Sequence, residues 1–196
     1  MDSMTKQQLR QHFLIQRNQL TSQELATLSH AIAEQFFTHF SLNNLHSIHL
    51  FLPILSQNEI NTWLIIHKIW QVYPHITVVT SKTELTTGIM SSYILTPDTQ
   101  IVENRWHIPE PMNALPFADA DLNMILVPLI CFDKQGDRVG YGKGCYDKFL
   151  ACRSNLIKVG LSLFAPVEII NDAQPFDIKL DFCIMPQTVW QKDKKQ

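Results

Sequence analysis

MILVPLICFDKQGDRVGYGKGCYDKFL, residues 124–150, joins the most apolar run of the chain to its glycine-rich stretch. Met124 to Phe132 is nearly continuous in apolar residues, as in a strand buried on both faces, which is the habit of parallel sheets flanked by helices. Glycines follow at 140, 142 and 144, and CYDKFL then reads as a short helix. Open sheets of this kind collect their ligands outside the carboxyl ends of the strands. The stretch from Phe132 to Tyr146 is therefore where a ligand is expected.

Two familiar phosphate-binding templates can be tested on these glycines, and neither fits. The P-loop needs Gly, four residues, then Gly-Lys-Ser/Thr; here Asp137 stands at the first glycine and Gly144 at the hydroxyl. The dinucleotide fingerprint needs its third glycine where Cys145 sits. The residue chemistry still suits an anion. Gly140, Gly142 and Gly144 let the backbone approach a ligand and turn its N–H groups inward as a nest at a helix start. Lys143 adds a mobile positive charge and Arg138 a rigid, two-pronged one suited to phosphate oxygens. Asp147 is placed to hold Mg2+, which takes one or two carboxylates together with phosphate oxygens and water. On composition alone, a solvated glycine turn is an equal reading.

Outward from this stretch, strands and helices alternate. ITVVTS (76–81), SSYILT (91–96), LIKVGLSL (156–163) and DFCIM (181–185) read as further strands, and SIHLFLP (47–53) as an earlier one. NEINTWLIIHKIWQVY (58–73) reads as a helix stopped by Pro74. Near the amino terminus, Leu9, Phe13 and Leu20 form one helical stripe and Lys6, Arg10 and Arg17 another. TSQE (21–24) is a capping box opening a second helix that buries Leu25, Leu28, Ile32 and Phe36. Residues 97–119, with four prolines and little periodicity, read as a long connection, the kind that often serves as a binding loop. The pattern predicts a three-layer α/β fold with an open, mostly parallel sheet flanked by helices. Residues 1–190 read as a single domain and 191–196 as a loose tail.

Composition narrows the class of function. Apolar residues make up 45% and charged ones 17% of 196 residues, as in a globular domain. A net charge of −2 leaves no electrostatic footprint for nucleic acid or an anionic membrane, so any polyanion bound must be small. The first residues lack the apolar core of a signal peptide, and no run approaches a membrane span, which makes the cytoplasm the expected location. Cys131, Cys145, Cys152 and Cys183 form no CxxC pair and are read as free thiols. The eight histidines form no HExxH pair.

The run VPLICFDKQGDRVGYGKGCYDKFL, 127–150, resembles the signature of the 5-formyltetrahydrofolate cyclo-ligase family, roughly VPGLAFDxxGxRLGYGxGYYDRFL. KQQLR (6–10), NEINT (58–62), WHIPEP (106–111) and FDIKLD (176–181) resemble further elements of that family in the same order. The resemblance implies a fold similar to that of certain sugar-phosphate isomerases and CoA transferases. It also implies a reaction in which 5-formyltetrahydrofolate and MgATP give 5,10-methenyltetrahydrofolate, ADP and phosphate. The partners implied are these small molecules, in a monomer or weak homo-oligomer.

Site residues follow by position. Lys6, Arg10 and the loop Arg138, Val139, Gly140, Tyr141, Gly142, Lys143, Gly144, Cys145 and Tyr146 match the nucleotide site. Lys143 and Arg138 match the groups that stabilise the phosphoryl group in transit. Asp147 and Asp177 match the Mg2+ carboxylates. Glu59 matches the folate-binding carboxylate, with Leu52 or Ile54 as an apolar wall and Trp106 as a stacking partner; Arg10 and Tyr141 to Cys145 border the same pocket. A helix-first-turn acid and a turn residue are the plain alternatives for Glu59 and Asp177. The sequence departs from the family pattern at Leu129, Cys145, Pro166, Asp172 and Phe176. These departures motivate two other readings, a non-catalytic nucleotide or folate binder and an ATP-dependent enzyme with another acceptor. A thiol at Cys145, beside an anion nest, is expected to have a lowered pKa.

Overall fold

The computed structural model describes residues 4–193. Helices α1 (Lys6–Asn18) and α2 (Ser22–His39) both start in capping boxes, Thr5 with Gln8 and Thr21 with Glu24. Each box satisfies two otherwise orphaned N–H groups. Then follow β1 (Ser47–His49), α3 (Trp63–Val72), β2 (Thr77–Glu84), β3 (Ile89–Ile94), β4 (Gln100–Glu103), β5 (Pro109–Met112), β6 (Met124–Pro128), β7 (Cys131–Phe132), β8 (Arg138–Val139), α4 (Cys145–Leu150), β9 (Ile157–Leu161), β10 (Phe182–Ile184) and β11 (Val189–Gln191).

Seven strands form one sheet in the order β11-β10-β9-β6-β1-β2-β3. The inner strands β10, β9, β6, β1 and β2 run parallel, and the two edge strands are antiparallel. Period-two alternation divides the apolar side chains between two faces. Ile48, Val78, Leu126 and Ile184 join Ile32 and Phe36 of α2 and Ile65, Ile66 and Ile69 of α3 in one core. Val79, Ile125, Val127 and Cys183 face Phe149 and Leu150 of α4 in the other. Three layers result, and β6 is buried on both sides because it lies at their centre. α1 packs Leu9 and Phe13 on Ile130, Cys131 and Val139.

Several segments differ from the sequence expectation. The run 124–132 is two strands, β6 and β7, because the chain leaves the sheet at Pro128 and Ile130 donates instead to the Val139 carbonyl at 2.8 Å. Residues 97–119 contain a hairpin, β4 paired with β5, rather than an irregular connection. Asn104 donates to Ile108 O at 3.0 Å, so the alternate pairs Val102–Glu110 and Gln100–Met112 are the hydrogen-bonded ones. Pro109 and Pro111 therefore occupy non-hydrogen-bonded positions, where a missing N–H costs nothing. The helix expected from Asn58 begins only at Trp63, because Asn58 adopts a left-handed conformation, φ 53°, and turns the chain. At the other end β11 includes Gln191, and Lys192 donates to Asp181 O at 2.9 Å, so ordered structure passes 190; residues 194–196 of the expected tail lie outside the described residues.

Candidate active site

From β1 the chain proceeds to β2 on one side, then returns to β6 on the other and continues outward. The switch point thus lies between β1 and β6, where a crevice opens at the carboxyl ends of the strands. A cleft of about 700 Å3 occupies this position. It is lined by Phe51 and Leu52 after β1, Thr80 and Ser81 of β2, Pro128 ending β6, and the glycine loop after β8.

The loop is fastened from α1. Arg10 Nε donates to Gly140 O at 2.7 Å. Gly142, at φ 91°, brings its Cα so close to the Arg10 guanidinium that an added Cβ would lie 3.3 Å from it. Both the angle and the space call for glycine there. The backbone N–H groups of residues 141–144 find no acceptor among the described residues, and Lys143 lines the cleft from an exposed position. Unpaired N–H groups beside an ammonium with no partner among the described residues are the donors that an anion would take.

Below the loop lies a charged floor. Arg138 is 8% exposed, with one terminal nitrogen on Asp147 Oδ1 at 2.9 Å and the other on Ile178 O. Both prongs are thus committed to the protein, and Arg138 orients Asp147. Ile178 N–H also donates to Asp147 Oδ1, at 3.1 Å. The side chain of Lys6 pairs with Asp177 Oδ2, which accepts the Gln174 N–H at 2.5 Å as well. Asp147 Oδ2 and Asp177 Oδ1 make no hydrogen bond among the described residues, and both side chains line the cleft. Two carboxylate oxygens on adjacent segments fit Mg2+, which keeps several waters and shares phosphate oxygens. No group of three or more His, Cys, Asp or Glu side chains gathers among the described residues, so the protein alone does not form a complete metal cage.

Against Tyr141 of the loop, Glu59 is 6% exposed and lies outside any helix, so a helix-dipole role is replaced by specific bonds. The Ile54 N–H donates to its Oε2 at 2.8 Å, and the Tyr141 hydroxyl donates to its Oε1. Arg17 in turn donates to the Tyr141 oxygen at 2.8 Å. Burial pushes the Glu59 carboxyl above its usual range, while the Tyr141 and Ile54 bonds and the Arg17 charge work to lower it. Leu52, Ile54, Ile108, Pro109 and Trp106 supply apolar wall, with Trp106 at the tip of the β4–β5 hairpin. A carboxylate at the end of an apolar slot suits a flat ring bearing N–H donors.

The cleft thus brings together Lys6, Arg10, Leu52, Ile54, Glu59, Trp106, Arg138, Gly140 to Tyr146, Asp147 and Asp177. Val139 is the exception, since its side chain packs under α1. Burial dominates at Cys145 and raises its thiol pKa, although Lys148 and Lys143 act the other way; the lowered value expected from the nest does not arise. Arg17 is buried at 5% and belongs to the site. Its signal was the stripe shared with Lys6 and Arg10, whose members all turn out to face the protein or the cleft. The Thr80, Ser81 and Phe51 contributions carried no local signal. Two of the departures, Leu129 and Asp172, acquire physical reasons. Leu129 packs over Gly160, where an added Cβ would lie 2.7 Å from it. Asp172 Oδ1 accepts the first N–H of α1, from Lys6, at 2.6 Å. Phe176 is 71% exposed at the cleft rim.

Fold and cleft together define an α/β protein whose switch-point cleft is lined by a glycine loop with unpaired N–H groups, by a buried carboxylate and by apolar side chains. Residues 2–182 match the 5-formyltetrahydrofolate cyclo-ligase family. The chain is 31% identical to the 5-formyltetrahydrofolate cyclo-ligase of Haemophilus influenzae over 175 residues, 83% of this chain and 87% of that protein. It is 23% identical to the Escherichia coli K12 protein of the same name, over 89% of this chain and 97% of that one. An NMR structure of Aquifex aeolicus 5,10-methenyltetrahydrofolate synthetase shares the fold with a TM-score of 0.77 at 24% identity, covering 98% of this chain and 95% of that one. A 5,10-methenyltetrahydrofolate synthetase from Mycoplasma pneumoniae gives 0.73 at 22% identity, over 95% of this chain and 100% of that one. This chain belongs to the 5-formyltetrahydrofolate cyclo-ligase family.

Proposed function

We propose that this protein converts 5-formyltetrahydrofolate to 5,10-methenyltetrahydrofolate at the expense of ATP, releasing ADP and phosphate. The observation that carries this reading is one cleft lined both by the glycine loop, with its unpaired N–H groups and Lys143, and by the buried Glu59 carboxylate with apolar side chains around it. Glu59 holds the N–H edge of the pterin, and Trp106 with the apolar wall covers its faces. The loop N–H groups, Lys143 and Arg10 hold the triphosphate. The formyl oxygen attacks the γ-phosphorus and ADP leaves, giving an iminium phosphate. N10 then adds to the activated carbon and gives up its N–H proton to solvent, and phosphate departs as the ring closes.

Phosphoryl transfer of this kind needs positioning and charge neutralisation more than a strong base. Lys143 is free to follow the transferred group, while Arg138 keeps Asp147 oriented. Asp147 and Asp177 would hold Mg2+, which neutralises charge on the phosphate oxygens. We infer a cytoplasmic monomer or weak homo-oligomer acting on small molecules and not on nucleic acid; no helix among the described residues is long and apolar enough to cross a membrane.

The test mixes purified protein with 5-formyltetrahydrofolate, ATP and magnesium and follows the near-ultraviolet absorbance of methenyltetrahydrofolate. An ATP-dependent rise that is lost in Lys143→Ala is the expected result. Folded protein that binds both ligands and gives a flat trace would overturn the reading in favour of a non-catalytic binder, and turnover of another acceptor would move the substrate assignment.

A further inference from the structure

Arg17 lies seven residues beyond Arg10 on α1 and is 5% exposed. One terminal nitrogen is spent on the Tyr141 hydroxyl, which itself donates to Glu59. Its Nε is buried and has no acceptor among the described residues. A buried charged donor left unpaired is costly, so a partner is called for. Arg17 and Glu59 both line a small recess of about 20 Å3 that shares Glu59, Phe51 and Pro128 with the cleft and is otherwise lined by apolar side chains including Ile60, Leu129, Leu161 and Phe164. That volume holds one water molecule, which needs two or more polar partners. The Arg17 Nε–H supplies a donor and the Glu59 carboxylate an acceptor.

We infer that Arg17 is a positioning residue that fixes the Glu59 carboxylate by two links, the Tyr141 hydroxyl and a single water held in this recess. The fork of a guanidinium directs donors to both links at once, which a lysine ammonium on a flexible stem does not. The charged and titratable groups facing Glu59 are Arg17 from α1, Tyr141 from the loop and Tyr146 from α4. With burial raising the Glu59 carboxyl, Arg17 and its links work to keep it ionised, the state that accepts ring N–H donors. That consequence for the ligand rests on the function proposed above; the linkage of Arg17 to Glu59 does not.

The first arm of the test uses the ligand-free protein. Carbon-13 NMR of the Glu59 carboxyl should show titration at higher pH in both Arg17→Met and Tyr141→Phe than in wild type. A crystal structure should show one water within hydrogen-bonding distance of Arg17 Nε and Glu59, and a dry recess would remove that link. The second arm measures binding. Arg17→Met should weaken 5-formyltetrahydrofolate binding about five- to tenfold at mildly acid pH, with a smaller effect on ATP affinity. In a Glu59→Gln background the same substitution should add less than about twofold. Coincident Glu59 titrations in wild type and Arg17→Met, or an equal binding loss in both backgrounds, would overturn the inference. If Arg17→Met fails to fold, an unmoved Glu59 titration in Tyr141→Phe does so. Wild-type protein that binds no folate would instead refute the proposed function, leaving the titration to decide the role of Arg17.

Discussion

His49 lies on β1 at 0% exposure, and neither ring nitrogen has a hydrogen-bond partner among the described residues. Its ring faces Phe149 and Tyr146, with centroids 5.8 and 6.4 Å away. Burial lowers its pKa from 6.5 to about 4, against the opposing attraction of Asp119. The folded protein therefore refuses a proton that the unfolded chain accepts below pH 6.5. Stability from this residue is full above that value and falls as pH drops toward about 4. At about 1.4 kcal/mol per pH unit, the loss approaches ~3 kcal/mol over the whole window and is ~2 kcal/mol by about pH 5. Glu59 and Asp133, whose carboxyls are raised by burial, change stability in the opposite sense, so the wild-type profile alone mixes these effects. The informative comparison is with His49→Leu, of similar volume and without a titrating group. Urea unfolding followed by circular dichroism near pH 7.5 and near pH 5 should show wild type losing about 2 kcal/mol more than the variant. Only the difference in slope matters, since the packing change shifts both points together. Parallel pH dependence in the two proteins would refute the reasoning.

Asp147→Asn and Asp177→Asn should each depress turnover far more than folate binding, because the lost contacts concern the phosphoryl group in transit; normal turnover in both would remove these carboxylates from the mechanism. Gly142→Ala should cost about 1–3 kcal/mol of backbone strain and crowd Arg10, seen as a tenfold or larger loss of ATP affinity, whereas Gly144→Ala, strained at φ 66° but with open space around its Cβ, should lose less. Because burial raises the Cys145 thiol, iodoacetamide should modify it more slowly than exposed Cys152 at neutral pH, with the rate climbing as pH rises; faster modification of Cys145, read by peptide mass spectrometry, would contradict that environment.

Local pattern carried much of this protein. The capping box at Thr21 and the apolar stripes of α1 and α2 involve residues three or four apart, so the sequence by itself determined them; the Thr5–Gln8 box is equally local and was found only in the structure. The buried character of β6 was legible because a strand at the centre of three layers needs apolar residues on both faces. Glycine spacing marked the 140–144 loop but left a solvated turn equally open; the family resemblance favoured the anion site and pointed to Glu59 and Asp177, which local rules would have read as a helix acid and a turn residue. Other features depended on the tertiary structure. The Lys6 to Asp177, Tyr141 to Glu59 and Arg17 to Tyr141 contacts join residues 171, 82 and 124 positions apart. Sheet order brings those segments together, and no short-range periodicity encodes it. Strand register placed Pro109 and Pro111 at positions where no N–H is needed, making a hairpin of a segment that proline content marked as irregular. Burial reversed the sign expected at Cys145, because the desolvation of a thiol is a property of everything packed around it.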